Sequence, residues 1–527
     1  MKDTIRIYSP ALILAMVIFI LVTPKTSLPM SPDLPEIIKA EVLCRDREEL
    51  MGLIRSGADI ANVRGNRVLI YSSEKELGSI RDLGYEFRII RDSPENLQRR
   101  SASYYSFAEM SAELARTAEN YPHICRLSDM GMSVQGRKMW IMKLTDHPDA
   151  EEDEPEILFV SSMHGDEPLG MELSMRLIRL LAESYGRDAK LTQLLNECEI
   201  WIMPLMNPDG YVNQSRYNAE GKDLNRSFPD RVIDPENTVE GRAAEVRHFM
   251  NWVQKHSPVL SANFHTGALL VNYPYDSDPV HTDYAPAPDN ALFIEQSLTY
   301  SRLNPPMYNS PWFRQGIVNG VEWYTVYGGM QDWLYHWYGC SQVTVELSNI
   351  FIPPYSAIPS LWEDNREAMI AYAGWALKGI RGRVTNRRTG FPLGAAVRVM
   401  GNEHVVYTDP DAGDYHRMLL PGIYSIEISA PGYVSRTVSG ISVGDGEAVR
   451  ADAALDPLRE PGDVNGDGNL QDLITVLQIL SSGEAEEPEM SLEMSWDVNG
   501  DGNIGLAEAV YLLRCCSLSP CPDDQKK

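Results

Sequence analysis

The sequence predicts an α/β fold: one large, mixed, mostly parallel sheet with helices on both faces, flanked by smaller modules. Three observations predict it. The chain has 527 residues, room for about three or four domains at roughly 100–200 residues each. Between about residues 104 and 378, apolar strand-like runs alternate with long amphipathic segments, the pattern of a mostly parallel sheet. On either side the pattern changes, which marks separate modules. Composition is that of globular protein, with 43% apolar and 23% charged residues, and excludes wholesale disorder. The formal charge of −27 argues against a nucleic-acid binder, which needs a basic footprint, and is compatible with basic substrates and with calcium. Seven cysteines are too few for a disulfide scaffold, and the odd number leaves at least one thiol unpaired.

The elements follow in order. Lys2 and Arg6 precede an unbroken apolar run from Ala11 to Val22, twelve residues long. A bilayer span needs about twenty, so residues 1–28 read as a secretory signal, and the mature protein as extracellular or periplasmic without a stable membrane span. Export makes disulfides possible among Cys44, Cys125, Cys198 and Cys340. Residues 36–92 form a small α+β module. Its strands are Ile37–Leu43, Asn66–Tyr71 and Tyr85–Ile90, its helices Arg47–Arg55 and Glu74–Leu83, with Gly57, Gly65 and Gly84 at the joins. Residues 93–103 are a polar linker containing the dibasic pair Arg99-Arg100.

The large domain, 104–378, has apolar strands at Ile157–Ser162, Glu199–Leu205, Val259–Phe264 and Gln342–Leu347, and helices at Gly170–Tyr185 and Val239–His256. Ligands in such sheets gather at strand ends. Residues 379–457 read as a small β-sandwich, with short runs at Ile380–Thr385, Ala396–Met400, His404–Thr408 and Ile423–Ile428. Residues 461–516 carry two near-repeats of Asp-Val-Asn-Gly-Asp-Gly-Asn, at Asp463 and Asp497, and 517–527 is a tail.

Chemistry concentrates at strand ends. His164 has a carboxylate three residues on, Glu167, directly after a strand, and Gly165 lets the turn fold both onto one point. His265 ends a strand of its own. Two histidines and one glutamate, with water in the fourth position, make a catalytic zinc arrangement; a satisfied core histidine is the plain alternative for His265. Glu346 lies in a strand apolar on both sides, where a carboxylate is costly unless compensated. Beside a zinc-activated water it is a general base; otherwise it is a buried salt-bridge partner. Arg216, Asn225 and Arg226 share one loop after Met206-Asn-Pro-Asp-Gly-Tyr, and guanidinium forks suit a carboxylate or developing oxyanion. The alternative is a solvated basic loop. Tyr324 precedes Gly328-Gly329, a stretch flexible enough for a lid.

These residues resemble the zinc metallocarboxypeptidases, specifically the regulatory branch that includes carboxypeptidases D, E and N. The resemblance rests on His164-Gly-Asp-Glu167, Asn207-Pro-Asp-Gly, Ser215-Arg-Tyr-Asn-Ala-Glu-Gly-Lys-Asp-Leu-Asn-Arg, Asn272-Tyr-Pro-Tyr-Asp, Val318-Asn-Gly-Val-Glu-Trp-Tyr, Gly328-Gly-Met-Gln-Asp-Trp and Thr344-Val-Glu-Leu, and covers about residues 104–456. It implies that His164, Glu167 and His265 bind one zinc. It implies that Arg216 polarises the scissile carbonyl, and that Asn225, Arg226 and Tyr324 hold the terminal carboxylate. Glu346 then acts on the water and passes its proton to the leaving amine. Asp276, with Gln331, lines the pocket for the last side chain and favours Lys or Arg. Asp166 departs from the branch, which often has a neutral residue there, and bears on subsite preference or ligand geometry.

Residues 36–92 resemble propeptide-like domains of secreted metallocarboxypeptidases, so cleavage after Arg100 is expected to activate; a plain linker is the alternative. The sandwich resembles a transthyretin-like domain, expected to support packing or protein contact. The tail resembles a dockerin or EF-hand pair that takes one or two calcium ions and docks a protein partner. Asp497, Asn499, Asp501, Asn503 and Glu508 fit calcium-loop spacing. Asp463, Asn465 and Asp467 begin a loop shortened by two residues. Competing readings are a cell-wall peptidase acting on diaminopimelate-containing peptides, and a non-catalytic adhesion or scaffold component.

Overall fold

The computed structural model describes residues 37–90, 104–280, 282–409, 411–458 and 510. The expected signal segment, the Arg99-Arg100 joint and every candidate calcium ligand from Asp463 to Glu508 lie outside the described residues.

The N-terminal module is a four-stranded antiparallel sheet of β1 (Ile37–Leu43), β2 (Asp59–Arg64), β3 (Arg67–Ser73) and β4 (Phe87–Ile90), in the order β2-β3-β1-β4. Two helices, α1 (Arg47–Arg55) and α2 (Glu74–Asp82), complete it. Asp46 caps α1, and a Ser73–Glu76 capping box starts α2, each satisfying amide donors that a helix leaves unpaired.

Strand β2 is a correction to the sequence expectation, which places no element between the helix Arg47–Arg55 and the strand Asn66–Tyr71. Asp59, Asn62 and Arg64 break the apolar alternation that marks a strand. They are polar because β2 is an edge strand whose free side lies on the large domain. Its four middle residues, Ile60–Val63, are all buried, two faces at once.

The large domain begins with α3 (Phe107–Asn120) and carries an eight-stranded sheet. Its strands are β5 (Cys125–Met132), β6 (Lys138–Leu144), β7 (Glu156–Ser161), β8 (Glu199–Met203), β9 (Pro258–His265), β10 (Leu269–Tyr273), β11 (Ile317–Asn319) and β12 (Ser341–Leu347). They are ordered β11-β10-β12-β9-β7-β8-β6-β5. The middle run, β12-β9-β7-β8, is parallel, and antiparallel pairs join it to β10 and β6. Every residue of these four central strands is buried, as expected where helices cover both faces. Alternate β7 side chains divide between two cores. Ile157 and Phe159 pack with α4 (Leu169–Ser184), whereas Leu158 and Val160 share the other core with α7 (Ala244–Val253) and α9 (Met330–Tyr338). Between these lie α5 (Ala189–Glu197), α6 (Pro208–Asn213) and α8 (Asn290–Arg302); α10 (Ile358–Ala373) ends the domain.

The sandwich has two four-stranded sheets around one apolar core. One contains β13 (Ile380–Asn386) and β16 (Asp414–Arg417); the other runs β15-β14-β17-β18, from Val405–Tyr407 through Ala396–Val399 and Gly422–Ser429 to Arg436–Val443.

The possible disulfides are a second correction. Cys44, Cys125, Cys198 and Cys340 are buried free thiols set in apolar clusters, where a cysteine behaves as a small hydrophobe. Among the described residues no helix is long and apolar enough to cross a membrane.

Candidate active site

Parallel pairing sets the centre. β9 and β12 run side by side in a register that places His265 opposite Glu346. β7 pairs with β9 through Ser161 and Phe264, so the chain leaving β7 reaches the same edge three residues later, at His164.

The turn after β7 is held in an unusual shape. Ser162 has φ +50, sparsely populated for a residue with a side chain, and its hydroxyl donates to the Glu167 carbonyl at 2.9 Å. A Cβ on Gly165 would lie 2.0 Å from the Gly210 carbonyl carbon, so the turn packs directly on the backbone of α6. Asn207 ties the two together. Its amide donates to Met163 O at 3.1 Å and Arg216 O at 3.3 Å, and its carbonyl oxygen accepts from Gly210 N at 2.8 Å. The Asn-Pro-Asp-Gly motif is thus a clamp on the loops carrying His164 and Arg216.

His164, Glu167 and His265 meet, all buried. His164 Nδ1 lies 2.9 Å from Glu167 Oε1, His265 Nδ1 lies 3.0 Å from Glu167 Oε2, and the two Nδ1 atoms are 3.1 Å apart. Zinc–donor bonds of about 2.0–2.1 Å imply tetrahedral edges of about 3.3 Å, so the trio fits a single zinc with little adjustment.

Asp223 is the residue that sequence reasoning missed. Its Oδ1 sits 3.0 Å from His164 Nε2, and its Oδ2 takes Arg216 Nε at 2.9 Å and Nη2 at 2.8 Å. One buried carboxylate thereby orients both a candidate metal ligand and a guanidinium, as carboxylate partners of metal-bound histidines commonly do. Against the cost of burial, Arg216 and His164 hold the Asp223 carboxyl well below its ordinary range. Its place between Arg216 and Asn225-Arg226 was the available signal.

Glu346 is 6% exposed, and its Oε2 accepts from Ala268 N at 3.3 Å. Burial, and next the charge of Glu167, push its pKa up to about 8. Asn225, Arg226 and Tyr324 line the same space. The lid expectation needs correcting for Gly328, which is clamped. Its N–H donates to Asp230 at 3.0 Å and its carbonyl accepts from Phe228 N at 3.1 Å, while its φ of +69 and backbone contact with Arg226 demand glycine.

Asp276 lines the same space and is buried. Its Oδ1 accepts from Asn272 Nδ2 at 2.9 Å and Gln331 Nε2 at 3.0 Å. Burial first, then Asp332, hold its carboxyl well above the ordinary range. A Cβ on Gly320 would come within 1.9 Å of Asp276 Oδ1, so this wall is backbone.

The N-terminal module fills the mouth. Ile60 O accepts from Arg226 Nη2 at 2.8 Å, and Asp59 lies 3.6 Å from Arg216 and 3.8 Å from Arg226 while accepting from Tyr217 OH at 2.6 Å. Ala61 lines the centre directly, and the space left measures about 20 Å³. Trp323 Nε1 donates to Val63 O at 3.0 Å, and Tyr71 donates to Asp166 between the two metal-ligand candidates. The Asp166 departure therefore has a structural partner in the module. The module's apolar core continues into Ala268, Leu270, Trp323 and Tyr324 of the large domain. A cavity of about 930 Å³ lies outside the centre, between the module and the segment Asn349–Tyr355.

Residues 110–368 match the zinc carboxypeptidase family, and residues 379–456 match the carboxypeptidase regulatory-like domain. Carboxypeptidase D of Mus musculus is 36% identical over 71% of this chain and 28% of its own length, so the chain spans about a quarter of those relatives. The carboxypeptidase N catalytic chain of Homo sapiens is 35% identical over 65% of this chain and 84% of its own. The crystal structure of carboxypeptidase A from Helicoverpa armigera superimposes with a TM-score of 0.52 at 17% identity. That match covers 64% of this chain and 98% of that one, a likeness of fold.

Proposed function

The chain belongs to the zinc carboxypeptidase family, and on that premise we propose that it hydrolyses the last peptide bond of peptides or proteins ending in Lys or Arg. The observation that carries the reading is one buried space lined by a metal-ligand trio, an acid, two arginines and Asp276.

His164, Glu167 and His265 would hold the zinc, which supplies a nucleophilic water at neutral pH and polarises the scissile carbonyl. Glu346, raised toward neutrality, takes the water's proton and returns it to the leaving amine. Arg216, held by Asp223, meets the negative charge that grows on the carbonyl oxygen, where stabilisation acts on rate. Arg226, Asn225 and Tyr324 take the free carboxylate, which restricts the cut to a chain end. Asp276 pairs with a basic side chain, and its Asn272 and Gln331 donors fix its position. An amine on diaminopimelate would satisfy the same carboxylate, and peptidoglycan fragments assayed beside Arg-ended peptides separate the two substrate classes.

Asp276→Ala is expected to lower the Arg-over-Phe ratio of kcat/KM by about 10²-fold, since the buried charge is what rejects apolar side chains. An unchanged ratio would refute the assignment. The pH dependence has a definite sign. A carboxyl held high takes up a proton readily as pH falls, and the proton competes with the basic side chain. The Arg-over-Phe ratio therefore falls on acidification in the wild type and is flat in Asp276→Asn.

In the same reading, residues 36–92 form an inhibitory module and cutting after Arg100 releases it. The support is the β2 backbone and Asp59 occupying the ground of the substrate's terminus. Export rests on the basic, then apolar, N-terminus.

A further inference from the structure

A second acidic centre lies where the large domain meets the sandwich, lined by none of the catalytic residues. The segment before β7 contains Glu151 and Glu154, Glu156 opens β7 itself, and the sandwich brings Asp409, Asp414 and His416 against them around a cavity of about 10 Å³, the size of one ion or water. Carboxylate oxygens of Glu151, Glu156 and Asp409 lie within 4.8 Å of one another.

Clustered acids alone mean little, but two oxygens here lack any hydrogen-bond partner. Asp414 is 3% exposed and its Oδ1 is unpartnered, while Oδ2 is held at 2.7 Å by His416 Nε2. Glu156 is also 3% exposed; Oε1 accepts from Ser257 N at 2.8 Å, and Oε2 has only the His256 ring nitrogen at 3.4 Å. Buried, unpartnered carboxylate oxygens are costly. Among the described residues, Lys143 reaches this cluster only at Glu151, and its shorter pairing is with Glu199. Lys143 pairs with Glu199 at 2.7 Å and lies 3.9 Å from Glu151, and Arg450 takes Asp153 at 2.7 Å. Asp409 Oδ1 is used by two backbone donors, Asp411 N and Ala412 N, each at 2.8 Å, which aims the carboxylate and leaves its other oxygen available. Burial first, then Asp414 and Glu156, raise the Asp409 pKa, the mark of a site short of positive charge.

We propose that this seam binds a hard divalent cation of the calcium class, held by Glu151, Glu156 and Asp409 with Asp414 beside it, and that the ion ties the sandwich to the large domain. An all-oxygen donor set selects calcium, magnesium or manganese over zinc. Oxygen separations up to 4.8 Å match opposite ligands at calcium's bond lengths of about 2.3–2.6 Å. The proposal is independent of the catalytic reading.

The test uses the full chain, stripped of metal and reloaded with one equivalent of zinc, then titrated with Ca²⁺ alone. Because the C-terminal repeats are candidate calcium ligands too, the readout is a difference between variants. Wild type is expected to bind one more Ca²⁺ in equilibrium dialysis than Glu156→Gln/Asp409→Asn, and to gain more in Tm on adding Ca²⁺. Terbium luminescence sensitised by Tyr407 and Tyr415, which line the cavity, should fall in the double variant. Should that variant fail to melt cooperatively, Glu151→Gln at the exposed rim is expected to weaken one class of sites about tenfold. Equal stoichiometry and equal Ca²⁺-dependent Tm shifts in wild type and double variant, or unchanged affinity in Glu151→Gln, would overturn the proposal.

Discussion

Glu346→Gln is expected to lower kcat by about 10²–10⁴-fold, the usual worth of a positioned proton carrier, while the protein still binds one zinc per chain. The substitution keeps the shape of the side chain and removes its ability to accept a proton. Glu346 sits opposite His265 in the β9–β12 register but is not one of the three donors that meet, so zinc content should not change. Single-turnover rates and metal analysis on the same sample check both halves. A variant that retains wild-type kcat would remove Glu346 from the chemistry. One that loses zinc would make it a ligand instead.

Cutting the chain after Arg100 is expected to raise activity about 10²-fold. The space at the centre is about 20 Å³ with the module in place, too small for any amino-acid side chain. A tethered module acts at an effective concentration of about millimolar, which substrates rarely exceed. The docking contacts say which residues matter. Asp59 faces Arg216 and Arg226, and Tyr71 donates to Asp166. Hydrogen bonds to charged groups are worth about 1.5–3 kcal/mol, so Asp59→Ala and Tyr71→Phe in the uncut chain should each raise basal activity about tenfold. Equal activity before and after trypsin, with unchanged basal rates in both variants, would make the module a plain scaffold.

The sequence made the catalytic centre readable because its chemistry is local at each piece. His164 and Glu167 are three residues apart after an apolar strand, and His265 ends another. Glu346 stood out as a lone acid in a strand otherwise apolar. Parallel pairing then does what the sequence implied, drawing the strand ends to one edge. What escaped is what depends on contact between distant segments. Strand β2 lost its apolar alternation because its polar residues answer the large domain's polar mouth. Asp223 looked like one more acid in a polar loop until both its oxygens were seen engaged. Gly328 reads in sequence as part of a flexible lid, yet it is glycine because the Arg226 backbone passes close by. The acidic seam has partners about 250 residues apart, Glu156 and Asp409, so no local pattern could join them.

The most direct measurement uses the chain cut after Arg100, loaded with zinc, on two peptides identical except that one ends in Arg as the free acid and the other in Arg amide. Mass spectrometry should show loss of a single Arg from the free acid, abolished by a chelator, and an intact amide. Equal cleavage of the amide, or cuts within the peptide, would contradict the account.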